Sequence, residues 1–207
     1  MRYLKNIIFD LGGVLLDLDI NRCMTEFEKV GLHDIRRWMT GTNELGFLKE
    51  YERGDLTTPQ FREKIREEAG RALSDKETDR VWNSMLKEIP EYKLELLLTL
   101  RKKYRLYLLS NTNDLHWEHC ADKFVYKGMQ MLGCFTRVFL SYQMHLAKPD
   151  AEIFRTVLKE AGIKAEETLF VDDSKDNCQA ASLLGIKVFH YVPGDNLEIQ
   201  LQNFISK

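Results

Sequence analysis

The residues Asn6-Ile7-Ile8-Phe9 form an apolar run that stops on a carboxylate, Asp10, and passes at once into Leu11-Gly12-Gly13-Val14-Leu15. A run with no polar alternation belongs to a strand covered on both faces, as in the centre of a parallel sheet. An ionised group at the tip of such a strand costs several kcal/mol, roughly, unless a cation or hydrogen bonds compensate it. The same pattern recurs near the other end, where Thr168-Leu169-Phe170-Val171 runs into Asp172-Asp173. Two strand tips therefore present three carboxylates, and the fold has to supply their compensation.

Five short β-rich segments stand out, at residues 4–9, 105–109, 137–140, 168–171 and 186–191. From the second onward, helical patterns separate them. This alternation predicts an α/β, Rossmann-like parallel sheet with helices on both faces and right-handed crossovers; strand order 3-2-1-4-5, with the first strand central, is the arrangement expected. Pro149-Asp150 opens one helix, with Ile153, Phe154, Val157 and Leu158 on one face and Gly162 as its stop. Asp173-Ser174 precedes another, with Cys178, Ala181 and Leu184 inward and Gly185 closing it.

About ninety residues lie between the first two strands, far more than one crossover requires. Residues 18–90 show only helical patterning, such as Met24, Phe27 and Val30 before Gly31, and Leu45, Leu48 and Tyr51 before Gly54. Thr58-Pro59 reads as an N-cap with proline in the first turn, and Ser74-Asp75-Lys76-Glu77 as a capping box. The expected organisation is a core built from residues 1–17 and 91–207, with residues 18–90 inserted as an α-helical cap over the carboxyl ends of the strands. Trp38, Phe47, Tyr51 and Trp82 are expected in the core of that bundle.

With 207 residues and 44% hydrophobic content, the chain can bury the core of one domain plus an inserted subdomain. A net charge of −2 offers no footprint for nucleic acid, and the one basic cluster, Arg101-Lys102-Lys103 with Arg105, falls where a helix should end. Cys23, Cys120, Cys134 and Cys178 have no metal-ligand spacing and read as reduced thiols of a cytosolic protein. No apolar run approaches the roughly 20 residues needed to span a bilayer, and a strand follows directly on Met1-Arg2-Tyr3. A cytoplasmic protein without a membrane partner is expected, as a monomer or weak homodimer.

Open parallel sheets bind ligands beyond the carboxyl ends of their strands, where the strand order reverses. With the first strand central, Asp10, Ser110 and Asp172-Asp173 converge there. Carboxylates in close company do not all ionise cheaply, so a divalent cation is the natural neutraliser. An all-oxygen donor set favours magnesium, and no histidine or cysteine adjoins these acids in the sequence to favour zinc. Ser110-Asn111-Thr112 follows an apolar strand and offers a hydroxyl and backbone N–H groups suited to phosphate oxygens. Lys148, just before a helix, is placed to offset the charge of Asp10 and of a bound phosphate.

This ordered set resembles the haloacid dehalogenase-like hydrolase superfamily over nearly the whole chain: Asp10 in Phe-Asp-Leu-Gly-Gly-Val-Leu, Ser110-Asn111, Lys148-Pro149 with Phe154, and Val171-Asp172-Asp173-Ser174 with Asn177. The insert resembles that family's cap. The Phe-Asp-Leu-Gly start, Glu52-Arg53-Gly54 and Leu109-Ser110-Asn111-Thr112-Asn113 are most similar to its bacterial α-glucose-1-phosphate phosphatase branch. The resemblance implies a magnesium-dependent phosphatase of small phosphorylated metabolites, such as an anomeric sugar phosphate. Asp10 would form an aspartyl-phosphate, while Ser110, Asn111 and Lys148 hold the phosphoryl group. Asp10, the Gly12 carbonyl and Asp173 would ligate the metal, with Asp172 sharing or orienting that shell.

Most phosphatases of the family carry a second aspartate two residues after the nucleophile, as general acid and base; here that residue is Gly12. Such help is worth about 10² to 10⁴ in rate. Three accounts stand. The leaving group departs with little protonation; a nearby group such as Asp17, Asp19, His145 or an acid of the insert substitutes; or the protein is a weak enzyme or phospholigand binder. The first two together are the reading adopted. The paired Asp172-Asp173 counts against a dehalogenase, and nothing marks Lys49 or Lys64 as the Schiff-base lysine of a phosphonate hydrolase. His116, His119 and His145 are read as surface or helix residues.

Overall fold

A computed structural model of the chain describes residues 4–33, 35 and 46–206. Its sheet has five parallel strands: β1 (Asn6–Phe9), β2 (Arg105–Ser110), β5 (Phe135–Leu140), β6 (Thr168–Asp172) and β7 (Lys187–His190). Their order is β5-β2-β1-β6-β7, so the chain reverses direction across the sheet at β1, between β2 and β6. That is the expected order, with the first strand central.

The period-two alternation of the strands decides what each face packs against. Ile7 and Phe9 of β1 join Leu106, Leu108, Leu169 and Val171 against α5 (Glu91–Leu100) and α10 (Leu197–Ile205). Ile8 joins Tyr107, Leu109 and Phe170 against α8 (Ala151–Ala161) and α9 (Lys175–Leu183). With both faces covered, the buried ionised side chains of the sheet stand at the strand tips.

The helix ends follow their local chemistry closely. Asp150 caps α8 by accepting the Glu152 N–H, and Gly162 ends it at φ 62°. Ser174 caps α9 through the Asn177 N–H, and α5 stops at Arg101, just where the basic cluster begins.

Between β1 and β2 lie α1 (Ile20–Lys29), α2 (Gly46–Glu52), α3 (Thr58–Ala69) and α4 (Asp75–Asn83). They enclose a separate apolar cluster in which Phe27, Phe47, Tyr51, Phe61, Ile65, Val81 and Trp82 are buried. Tyr51 stacks on Phe61 at 4.1 Å and Phe61 lies 5.1 Å from Trp82, between ring centroids. The capping box of α4 is as expected, whereas α3 is capped one residue earlier than expected, by Thr57 with Gln60, which puts Pro59 at the second helical position. Trp38 and Leu45 lie outside the described residues.

The two chain passages into and out of this insert run side by side. Leu18 bridges Leu86 antiparallel, Asp19 N–H donates to the Met85 carbonyl at 2.7 Å, and Lys87 N–H donates to the Asp17 carbonyl at 3.0 Å. These backbone bonds are one departure from the purely helical reading of residues 18–90. Another departure from the sequence reading is a small hairpin, β3 (Val125–Tyr126) with β4 (Met129–Gln130), turned by Lys127 and Gly128 at φ 49° and 76°. Strands of two residues carry no periodicity, so the sequence offered no signal for it.

One contact fixes the insert against the sheet side. A Cβ on Gly54, whose φ is +73°, would stand 2.1 Å from the Tyr142 carbonyl oxygen in α7 (Ser141–Met144). Gly54→Ala is expected to destabilise the protein by about 2–3 kcal/mol, from left-handed backbone strain plus displacement of α7. Chemical denaturation checks this, and a change below about 0.5 kcal/mol would show that the segment gives way easily.

Candidate active site

Asp10, Ser110 and Asp172 stand at the carboxyl ends of β1, β2 and β6, which are neighbours in the sheet, so the tips converge without help from loops. Asp10 is only 8% exposed and Asp172 not at all. Lys148, also buried, reaches between them: its Nζ lies 2.8 Å from Asp10 Oδ1 and 2.7 Å from Asp172 Oδ2, and it donates to the Leu109 carbonyl at 3.2 Å. One ammonium thus satisfies two buried carboxylates and a strand-end carbonyl.

The surrounding backbone and side chains hold these charges in place. Asp10 Oδ1 accepts the Leu11 N–H at 2.7 Å. Asp172 Oδ1 accepts the Ser174 N–H at 2.8 Å, and the Asn177 amide donates to both its oxygens at 3.0 and 3.2 Å. The Asn111 side chain grips the Lys148 backbone from both sides, donating to its carbonyl at 2.8 Å and accepting its N–H at 2.9 Å. Ser110 is buried beside them, and its hydroxyl makes only a long 3.3 Å contact to the Asn111 carbonyl. The helix after β2, α6 (Asp114–Ala121), is capped by Asn113, not by Ser110.

Burial dominates the electrostatics. It pushes the Asp10 carboxyl up from 3.8 to about 7, against the opposing pull of Lys148. Asp173 is raised for the same reason, with the neighbouring Asp172 charge adding to it. Burial also works against the Lys148 ammonium, but the Asp10 and Asp172 charges outweigh it and hold Lys148 above the ordinary lysine value. Lysine alone therefore leaves the site short of positive charge.

Asp10, Asp172 and Asp173 each bring a carboxylate oxygen within 4.8 Å of the others, a spacing that fits one oxygen-ligated cation. A Cβ on Gly13, at φ +77°, would sit 2.2 Å from Asp173 Oδ2, so glycine is what lets that carboxylate stand against the β1 loop. Cys178 and His190 come close as well, but both engage the carbonyl oxygens of Asp172 and Asp173, at 3.7 and 2.9 Å, and not the carboxylates.

Residues next to these acids in the chain line a cavity of about 280 Å³ between sheet and insert. Leu11, Gly12, Ser110, Asn111 and Thr112 line its sheet side, and Ile20, Leu48, Lys49, Glu52, Trp82 and Met85 its insert side. Gly12 has no side chain to offer it, and the space beside Gly12 is taken by Leu18, whose Cδ1 would be 3.1 Å from a Cβ there.

The other acid–base candidates are engaged elsewhere. Asp17 pairs with the buried Lys93 at 2.8 Å, Asp19 caps α1 through the Arg22 N–H, and the largely exposed His145 faces Asp55 at 3.9 Å. His116, expected at a surface or on a helix, is on α6 but buried. It stacks on Trp82 at 4.5 Å, bonds the Trp82 carbonyl through Nε2, and is pushed down to about 4 by burial, so it is neutral. Its spacing in the sequence gave no cue, because the partner is a residue of the insert 34 positions away.

Two positioning residues were also not anticipated. Ser141 Oγ lies 2.5 Å from the Glu52 carbonyl and 2.9 Å from the Thr112 carbonyl, and accepts the Thr112 N–H at 2.9 Å. Asn113 Oδ1 accepts from Trp82 Nε1 at 3.2 Å as well as from the His116 N–H. Both tie the insert to the loop carrying Ser110 and Asn111.

This fold, with an acidic strand-tip site under a helical insert, is that of a hydrolase family: the chain belongs to the haloacid dehalogenase-like hydrolases, whose pattern matches residues 4–185. It is 36% identical over 188 residues to a D-ribitol-5-phosphate phosphatase of Bacteroides thetaiotaomicron, covering 90% of this chain and 91% of the relative. A HAD family enzyme of the same organism, solved in complex with magnesium and inorganic phosphate, superposes with a TM-score of 0.87 at 45% identity, covering 93% of this chain and 96% of that one. A HAD-like family hydrolase of Porphyromonas gingivalis superposes with a TM-score of 0.90 at 30% identity, covering 99% of this chain and 98% of that one.

Proposed function

We propose that the protein is a magnesium-dependent phosphatase of small phosphorylated metabolites, sugars or polyols, with residues 18–90 acting as a cap over the site. The observation that carries this reading is the group of Asp10, Asp172, Asp173 and Lys148 at the strand tips, the first two acids and the lysine buried, beside a cavity that Gly12, Ser110 and Asn111 share with residues of the insert. The names of the similar phosphatase and of the magnesium- and phosphate-bound relative support it.

Asp10, Asp173 and the Gly12 carbonyl would hold the cation, with Asp172, already gripped by Lys148, Ser174 and Asn177, sharing or orienting that shell. The bound cation would supply the positive charge that keeps Asp10 ionised and offsets the phosphoryl oxygens. Ser110, the Asn111 N–H and Lys148 bind the phosphoryl group and hold it in line with Asp10, where fixed charge does most of the catalytic work. Asp10 attacks phosphorus, and water later cleaves the aspartyl-phosphate.

Gly12 favours a second, narrower reading, in which the substrate is an anomeric sugar 1-phosphate whose leaving group needs little protonation. A panel of phosphate esters, assayed with magnesium and with a chelator, tests both. Magnesium-dependent release of phosphate from primary-alcohol as well as anomeric phosphates supports the broader reading; release from anomeric esters alone supports the narrower. Thermal stabilisation by these esters with no phosphate released would instead indicate a non-catalytic phospholigand binder.

A pH prediction follows from Asp10. The folded, cation-free protein holds the Asp10 proton more tightly than the unfolded chain does, so this group's contribution to stability is full below about pH 4 and is lost as pH rises through about 7. Cation-free melting temperatures of wild type and Asp10→Asn should diverge across that window, wild type falling more. Magnesium should raise the wild-type value most at the upper end. Parallel curves would overturn this account.

A further inference from the structure

In place of the family's second acid the chain has Gly12, and an apolar side chain, Leu18, occupies the space beside it. A poor leaving group must therefore draw its proton from across the cavity. We propose that Glu52, carried on the insert, is the general acid and base of this site, an assignment that rests on the phosphatase reading above.

Three observations converge on Glu52. It is the one carboxylate among the described residues lining the cavity that Gly12, Ser110 and Asn111 also line. Its backbone is anchored twice: the Ser141 hydroxyl lies 2.5 Å from its carbonyl, and Gly54 two residues on is seated against the Tyr142 carbonyl. Ser141 in turn bonds Thr112, two residues past Ser110, so the acid and the phosphate-binding loop share one anchor. The remaining candidates, Asp17, Asp19 and His145, are engaged outside the cavity.

The surroundings suit the role. Burial pushes Glu52 up to about 7, with Lys49 on its own helix and Lys148 of the strand-tip site opposing that rise. His116 and Cys120 of α6 are the other titratable groups besides Lys49 among the described residues lining this cavity, and Asp10, just past β1, is paired with Lys148. A carboxyl poised near neutrality populates both the donor and the acceptor form.

The step balances in two halves. Asp10 bonds to phosphorus as the ester P–O bond breaks, and the departing alkoxide takes the Glu52 proton to leave as an alcohol. Glu52, now a carboxylate, takes a proton from the water that attacks the aspartyl-phosphate, releasing inorganic phosphate and restoring both residues. Since the acid belongs to the insert, proton transfer is available only while the insert is docked on the sheet.

The test is leaving-group dependence. Single-turnover release of alcohol from ribitol 5-phosphate and of 4-nitrophenolate from its phosphate is measured for wild type and Glu52→Gln, which preserves shape and the backbone contact. Glu52→Gln should slow alcohol release by about 10²- to 10⁴-fold and nitrophenolate release by less than about tenfold, since nitrophenolate leaves without a proton. The wild-type rate with the alkyl ester should fall as pH rises through about 7, and the variant should lack that limb. Equal losses on both esters, or a limb that persists in the variant, would overturn the assignment. A wild type that releases phosphate from neither ester would overturn the phosphatase reading itself, and this assignment with it.

Discussion

Asp10→Asn is expected to lower turnover of every phosphate ester by about 10⁴-fold or more, the scale seen when a covalent nucleophile is removed. Asparagine keeps the size of the side chain and an oxygen to accept the Leu11 N–H, which Asp10 Oδ1 accepts at 2.7 Å. It lacks the anionic oxygen that the proposed mechanism directs at phosphorus. Folding should survive, because the lost charge is one that burial already disfavours. Steady-state kinetics measures the loss, and acid-quenched mass spectrometry of wild type during turnover should show one added phosphoryl group on the peptide containing Asp10. Wild-type turnover in the variant would end the nucleophile assignment.

Lys148→Met should have the second largest effect, and on two quantities. Asp10 and Asp172 both lose the ammonium now 2.8 and 2.7 Å away, Asp172 with no exposure to water and Asp10 with little. Breaking a buried pair by removing one partner costs about 3–5 kcal/mol, so the cation-free variant should melt well below wild type. Magnesium should restore more stability to the variant than it adds to wild type, since the added cation meets two uncompensated carboxylates. The rate should still fall by about 10²- to 10³-fold, as when one charge-stabilising donor is lost from a preorganised site. A variant that melts like wild type in chelator would show that Lys148 is not what compensates these acids.

Much of the architecture was readable because it depends on local periodicity. The run from Asn6 to Phe9, interrupted only by its terminal Asp10, identifies a strand with two buried faces, and the helical face of Ile153, Phe154 and Val157 identifies its cover. Caps such as Ser74 with Glu77, and the Gly162 stop, are satisfied within a few residues and so were predictable. The converging acids were readable for a related reason: strand tips of neighbouring parallel strands are brought together by the sheet's own geometry.

The residues that were missed act across long separations. Ser141 meets Glu52 over 89 positions, and the His116 ring meets the Trp82 carbonyl over 34. Nothing in the neighbourhood of either residue distinguishes it from a loop serine or a helix-surface histidine. Their roles arise from how the insert docks, which sequence periodicity does not describe.

The sequence alone determined the fold class and the identity of the charged groups at the strand tips, because each follows from hydrogen-bonding and burial rules that operate over a few residues. Only the tertiary structure decided which acid of the insert enters the cavity and what lies beside Gly12. Those outcomes depend on how the insert docks beside the strand tips, through contacts between residues distant in the chain such as Ser141 with Glu52 and Asn113 with Trp82.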